Sequence, residues 1–248
     1  MDTSAEQLYE EALALLHSAL GLAADQRARA EIEHRLGFVL EDMHRLAEAE
    51  SWYERVLVTM ESFPAPHLYV IDSLTRLAEV AIARHDLEAA ERRLARAESL
   101  ARGVFGAASA AFTRTRHARV RLALARGDVI AAESMATAGI DEAERFDFGY
   151  DANQLRYELA DLALSRGDAA KAGVLAREIL KVPSRHPHRA RAYALLARSH
   201  RAAGNEADAL AALRAAASLS SGALAGDHPI RVDVERELAL LGAPSPYR

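Results

Sequence analysis

The sequence contains no cysteine among its 248 residues, which excludes disulfides, thiol nucleophiles and cysteine-based zinc sites. It also lacks a surplus of positive charge, because 31 basic side chains stand against 36 acidic ones and the net charge is −5. This balance argues against a general binder of nucleic acid, although a local basic patch is compatible with it.

Sequence motifs of enzymes and cofactor sites are missing as well. There is no glycine-rich loop ending in Lys-Ser or Lys-Thr, no Gly-x-Ser-x-Gly and no His-Glu-x-x-His. Glu31 and His34 lie one helical turn apart and could hold a metal, as could His186 and His188. A groove wall and a loop explain these two pairs better. We therefore expect no catalytic residue, no metal and no cofactor.

Long apolar runs are absent, because arginines or acids interrupt each apolar stretch before it reaches membrane-spanning length. Residues 1–6 also lack the basic start and apolar run of a secretory signal. We therefore expect a cytoplasmic protein that does not bind a membrane. The bias towards Ala and towards Arg over Lys suggests a GC-rich bacterial genome.

What the sequence does contain is a large number of helix-forming residues. There are 55 Ala and 33 Leu, a composition that favours an all-α fold. The seven prolines fall between helices, at helix starts or in the C-terminal tail, so none interrupts a helix.

A short pattern of about 40 residues recurs five times along the chain. A helix ends, a Gly-Asp-like turn follows, and an Ala four or five residues later begins another apolar run. Gly tolerates the left-handed conformation after a helix, and Asp or Asn accepts from the free N–H groups of the next helix. The turns are His44-Arg45, His85-Asp86, Gly127-Asp128, Gly167-Asp168 and Gly204-Asn205.

The helix after each turn carries a small-large-small stripe at spacings of four and three, which places each trio on one helical face. The stripes are Ala49-Tyr53-Val56, Ala90-Leu94-Ala97, Ala132-Ala136-Gly139, Ala172-Ala176-Ile179 and Ala209-Leu213-Ala216. The pattern predicts one domain, 1–248. It comprises an N-terminal half repeat (4–22), five helical hairpins (26–62, 67–103, 107–146, 150–181 and 187–220) and a C-terminal capping helix (228–241).

These turns and stripes, together with Leu36-Gly37, resemble the tetratricopeptide repeat (TPR). The longer period, and His-Pro at 186–187 and 228–229, are similar to the kinesin-light-chain type. The resemblance implies a TPR-like α-solenoid of antiparallel hairpins in a right-handed superhelical arc, whose first helices line a concave groove. Arg116, Arg119 and Arg156 depart from the family, which packs apolar side chains at these positions.

The groove positions implied by the resemblance form columns with one residue per repeat. The floor column reads Phe38, Glu79, Arg121, Asp161 and Arg198. Its alternating charges suggest either a docking track for a charged ligand or a ladder of ion pairs between repeats. A second column reads Glu31, Asp72, Arg114, Gln154 and Arg191, and a third reads His34, Thr75, His117, Tyr157 and Ala194.

From these columns we expect a partner to contact Glu79, Arg114, His117, Arg121, Tyr157, Asp161 and Arg198. Guanidinium groups can form two parallel hydrogen bonds to one oxyanion, so arginines on two adjacent repeats favour a carboxylate or phosphate ligand. The Lys-based carboxylate clamp of the family is not reproduced, because the chain has only Lys171 and Lys181 and neither stands in a groove column.

The resemblance implies a non-enzymatic interaction module, an adaptor or regulator that binds a peptide or helical segment of a protein partner. A sensory domain for a signalling peptide or small molecule is the main alternative, and an enzyme built on the solenoid is a rarer one. The terminal half repeats fit capping helices, a fragment of a longer regulator, or head-to-tail self-association. The identity of the partner and the oligomeric state do not follow from the sequence.

Overall fold

The computed structural model describes residues 5–43, 45–60, 63, 67–105, 110–183, 186–220 and 228–245. Within these ranges the chain forms twelve α-helices and no strand, so the predicted all-α class is confirmed. The helices are α1 (Ala5–Gly21), α2 (Gln26–Asp42), α3 (Leu46–Met60), α4 (Leu68–Ala83), α5 (Leu87–Phe105), α6 (Ala110–Ala125), α7 (Val129–Arg145), α8 (Gly149–Ser165), α9 (Ala169–Lys181), α10 (His186–Ala202), α11 (Glu206–Ser220) and α12 (Pro229–Leu240).

The chain divides into two compact units. We call Gln7–Asp151 the N-terminal unit, and Ala152–Arg248 together with Met1–Glu6 the C-terminal unit. Each unit is described separately below. The expectation of one continuous solenoid over residues 1–248 stays a prediction.

The N-terminal unit is a stack of helical hairpins. Helices α2 and α3, α4 and α5, and α6 and α7 pack as pairs, while α4 also contacts the first helices α2 and α6. In the C-terminal unit, α10 packs against α9, α11 and α12. Both arrangements place first helices beside second helices, as the repeat pattern requires.

The turns within the hairpins have the predicted geometry. Gly127, Gly167 and Gly204 have φ of 78°, 79° and 79°, in the left-handed region that suits glycine. The aspartates after the first two glycines cap the next helices, since Asp128 Oδ1 accepts from Ala131 N at 3.1 Å and Asp168 Oδ1 accepts from Lys171 N at 2.9 Å. His85 adopts the same conformation without being glycine, at φ 60°. The first predicted turn includes His44, which lies outside the described residues.

The small-large-small stripes form the interior of each hairpin, and their fifteen residues are all buried. The closest approach in the N-terminal unit is at Gly37, where an added Cβ would lie 2.7 Å from Tyr53 Cε1. The Tyr53 hydroxyl donates to Glu41 Oε2 at 2.7 Å, which fixes the ring in the core. The Leu36-Gly37 pair therefore marks a real helix–helix contact.

Trp52, the single tryptophan of the chain, lies between two helices of the N-terminal unit. Its ring is 5.5 Å from the His17 ring of α1, and the Arg55 guanidinium stacks on it at 4.3 Å. Trp52 is half-buried on α3, which is a second helix of the repeat pattern.

The three arginines that depart from the family pattern are accommodated by polar partners. Arg119 contacts two carboxylates of α5, with Nε 2.7 Å from Glu98 Oε1 and Nη1 bonded to Glu91. Arg116 pairs with Glu142 of α7. In the C-terminal unit the buried Arg156 donates to Asn153 Oδ1 at 3.0 Å. Second helices thus supply carboxylates to Arg116 and Arg119, whereas Arg156 bonds to a neutral amide of its own helix.

Candidate binding surface

The first helices of the N-terminal unit share a charged cluster. We use this name for His34 and Glu41 on α2, Asp72, Arg76 and Glu79 on α4, Arg114, His117 and Arg121 on α6, and Asp151 at the start of α8. Most of these residues stand in the groove columns predicted from the sequence.

Asp72 joins the three first helices at one level of the charged cluster. Its Oδ2 is 3.2 Å from His34 Nε2, and its Oδ1 accepts from Arg114 Nη1 at 2.9 Å. Burial alone would raise the pKa of the Asp72 carboxyl. The His34 hydrogen bond and the positive charge of Arg114 outweigh burial and hold that pKa well below its usual range.

Glu79 has the same role at the next level of the charged cluster. Its carboxylate is 3.3 Å from Arg76 Nη1, 3.3 Å from Arg121 Nη1 and 3.6 Å from His117 Nδ1. Burial opposes ionisation, but the His117 hydrogen bond and the two arginines lower the pKa of Glu79 to about 2. Arg76 also reaches Glu41 Oε1 at 3.2 Å, so it links two carboxylates of neighbouring first helices.

The charged cluster has two layers. The side chains of Asp72 and Glu79 are only 14% and 12% exposed, whereas those of Arg114 and Arg121, which pair with them, are 35% and 37% exposed. The carboxylates therefore lie deeper than the arginine side chains that pair with them.

Asp151 differs from the other carboxylates of the charged cluster. It is buried, and its nearest cationic contact is Arg114 Nε at a distance of 3.8 Å. Burial raises the pKa of Asp151, and the attraction of Arg114 and His117 only partly offsets that effect. The charged cluster thus holds one carboxylate whose ionisation is opposed by burial.

A Ser-His-Asp chain occurs inside this charged cluster. His34 Nδ1 is 3.2 Å from Ser73 Oγ while its Nε2 faces Asp72, which fits a tautomer that accepts from the serine and donates to the aspartate. A nucleophilic serine must reach a substrate, but Ser73 is completely buried. We interpret the chain as a link between α2 and α4.

The C-terminal unit has a smaller polar group on α8 and α10. Asp161 Oδ1 accepts from Arg198 Nη2 at 2.8 Å, and Asp161 Oδ2 accepts from Arg191 Nη2 at 3.3 Å. The Arg191 guanidinium stacks on the Tyr157 ring at 4.2 Å. Gln154 lies on the same face of α8, and its buried Nε2 has no acceptor among the described residues.

Tyr157 does not reach the surface in the way the sequence suggested. Its side chain lies in the core of the C-terminal unit, and its hydroxyl donates to the carbonyl oxygen of His188 at 2.5 Å. It therefore supports Arg191 from below. Glu79, Arg114, His117 and Arg121 do come together, in the N-terminal unit, and Asp161 and Arg198 come together in the C-terminal unit.

The alternating floor column does form internal ion pairs. Glu79 pairs with Arg121 in one unit and Asp161 pairs with Arg198 in the other, so the ladder interpretation describes these contacts. Sequence reasoning missed Arg76, although its position between Asp72 and Glu79 on one helix was a signal.

Other kinds of site receive no support from the segments of the chain that the structure describes. There, no group of three His, Asp or Glu side chains could hold a metal ion. None of the described helices combines the length and the apolar character needed to cross a bilayer.

Comparison with solved structures places the fold among proteins built from α-helical hairpin repeats. A tetratricopeptide repeat protein from Parabacteroides merdae aligns with TM-score 0.66 at 16% identity, over 94% of this chain and 79% of that one. BtubC (BKLC) from P. vanneervenii aligns with TM-score 0.61 at 16% identity, over 88% of this chain and 91% of that one. Kinesin light chain nearly identical TPR-like repeats from Podosopora anserina align with TM-score 0.53 at 18% identity, over 77% and 94%.

In the sequence, residues 28–103 match the model of the tetratricopeptide repeat. The resemblance predicted from the turns and stripes is therefore confirmed, and the fold of the chain is that of tetratricopeptide-repeat proteins. At 16–18% identity the solved structures show the fold alone. No curated protein matches this chain. Repeats of this family generally mediate contacts between proteins.

Proposed function

We propose that the chain is a cytoplasmic adaptor or regulator that binds a peptide or helical segment of a partner protein. The partner would lie across the first helices of the N-terminal unit. The observation that supports this proposal is the layering of the charged cluster, where carboxylates that are 12–14% exposed pair with arginine side chains that are 35–37% exposed.

An aromatic side chain adds an anchor beside these arginines. Phe38 of α2 is among the exposed large apolar residues, and the Arg76 guanidinium lies 5.6 Å from its ring centroid. Interfaces concentrate their binding energy in such aromatic and arginine positions. Because ion pairs already fix the arginines, a partner would lose little conformational entropy in contacting them.

The proposal can be tested by selecting peptides from a displayed library against the purified chain and measuring their affinity by calorimetry. We expect Phe38→Ala and Arg121→Gln to weaken the selected peptides about tenfold or more, since each removes a contact of about 1–3 kcal/mol. Helicity should stay close to that of the parent chain, and Arg121→Gln should lower the melting temperature because Glu79 loses one of its cationic partners.

Val58→Ala and Ile130→Ala are matched controls, because both side chains are strongly exposed on second helices of the same unit. Neither should change peptide affinity. Peptides that depend on Val58 or Ile130, and not on Phe38 or Arg121, would move the binding surface to the second helices and contradict the proposal.

A further inference from the structure

The arginines of the two units differ in how their positive charges are neutralised. In the N-terminal unit, Arg114 lies near two carboxylates, those of Asp72 and Asp151. In the C-terminal unit the relation is reversed, since the single carboxylate of Asp161 is shared by Arg191 and Arg198. This group of three therefore carries one surplus positive charge.

The donors of these two arginines are only partly used. Each guanidinium contacts Asp161 through one Nη2 atom, and neither has a second carboxylate partner among the described residues. Both side chains remain about one-third exposed, Arg191 at 35% and Arg198 at 33%. The remaining N–H groups of each fork are thus accessible to an oxygen ligand.

Arg191 is also held in place before any ligand binds. Its guanidinium stacks on the Tyr157 ring at 4.2 Å, and the Tyr157 hydroxyl bonds to the His188 carbonyl. Tyr157 is buried, so the surface on which Arg191 rests is rigid. A fixed fork loses little rotamer entropy on binding, which favours recognition of a planar oxyanion.

We propose that Arg191 and Arg198 bind a carboxylate of an acidic peptide segment, and that Asp161 is a built-in competitor for the same guanidinium groups. A single negative charge neutralises the surplus, whereas a phosphate dianion would exceed it while lying beside Asp161. This inference rests on the proposed function, because it names the chemistry of the partner. It concerns the C-terminal unit, so the two can be tested separately.

The test is an NMR titration of the arginine Nε–Hε signals in the full chain at constant ionic strength. The probe is a short peptide with blocked ends and one glutamate, and the same peptide with glutamine is the neutral control. Two further probes are titrated separately. One is a peptide with a blocked N-terminus and a free C-terminal carboxylate, and the other is inorganic phosphate. We expect saturable shifts of the Arg191 and Arg198 signals with both carboxylate probes and none with the glutamine peptide.

Three variants make the result specific. Arg198→Gln should weaken the glutamate peptide about tenfold, because one charge-assisted hydrogen bond is lost. Asp161→Asn should strengthen it several-fold by removing the competitor, and it should also allow phosphate to bind. Arg177→Gln is the control, since Arg177 is exposed on α9 of the same unit. It should leave the affinity unchanged.

Opposite outcomes would overturn the inference. These are saturation by phosphate alone in the parent chain, weaker binding in Asp161→Asn, or equal shifts with the glutamine peptide. If library peptides bind through Phe38 while Arg198→Gln has no effect, the proposed function stands and this site fails. If the glutamate peptide saturates Arg191 and Arg198 but no library peptide binds, the site stands and the proposed function fails.

Discussion

Gly37 provides the sharpest test of how the hairpins pack. A methyl group at this position would lie 2.7 Å from Tyr53 Cε1 and 2.9 Å from Cδ1, well inside van der Waals contact. The Tyr53 ring cannot move away without breaking its hydrogen bond to Glu41. Overpacking lowers the free energy of unfolding by about 1–3 kcal/mol, while replacing a mid-helix glycine by alanine raises it by about 1 kcal/mol. We expect Gly37→Ala to lower the free energy of unfolding by up to about 2 kcal/mol.

Gly103 is the matched control, because it lies in a helix of the same unit, is exposed, and has no atom within 4 Å of an added Cβ. Gly103→Ala should therefore raise the free energy of unfolding by about 0.5 kcal/mol. Urea unfolding monitored by tryptophan fluorescence measures both variants. In a Tyr53→Leu background the penalty of Gly37→Ala should disappear. Equal stabilisation by both glycine substitutions in the parent chain would refute the close approach of α2 and α3.

The remaining predictions concern charge and turn geometry. Since the pKa of Glu79 falls from 4.5 to about 2 on folding, its ionisation stabilises the fold above pH 4.5, by about 3 kcal/mol, and this stabilisation is lost as pH falls towards 2. Glu79→Gln should thus be strongly destabilising in urea at pH 7, and the difference should shrink to about 1 kcal/mol at pH 3; a pH-independent difference would contradict the ion-pair assignment. Asp151→Asn removes a carboxyl whose pKa is raised by burial, so it should increase stability at pH 7, with an advantage that fades as pH falls through that raised pKa; a loss of stability at pH 7 would show that the Arg114 contact dominates. His85→Gly should increase the free energy of unfolding by about 0.5–1 kcal/mol, and so raise the melting temperature, because φ at this residue is 60°. A lower melting temperature would mean that the histidine side chain has a packing role.

The repeat architecture was predictable because its signals are local. A spacing of four and three fixes a helical face, and a glycine before an aspartate fixes a turn, so both can be read within a few residues. The twelve helices expected from these signals are all present in the described ranges, with ends that differ by only a few residues.

The charged cluster was only partly predictable, because its contacts join residues far from each other in sequence. Alignment of the repeats correctly predicted that Glu79 and Arg121 lie together, since equivalent first-helix positions of adjacent repeats are neighbours. The partner of Arg119 is a pair of glutamates on α5, and finding it requires the rotation of one helix against another. Tyr157 was misplaced because its acceptor is a backbone carbonyl, which no side-chain pattern reveals.

The position of Trp52 gives the molecule an intrinsic optical reporter. Because the single indole lies in the N-terminal unit beside the His17 ring of α1, its emission reports the docking of α1 within that unit. Circular dichroism at 222 nm, by contrast, records every helix. Overlaying the two signals in one melting experiment would therefore show, without any label, whether the units lose their structure together or one after the other.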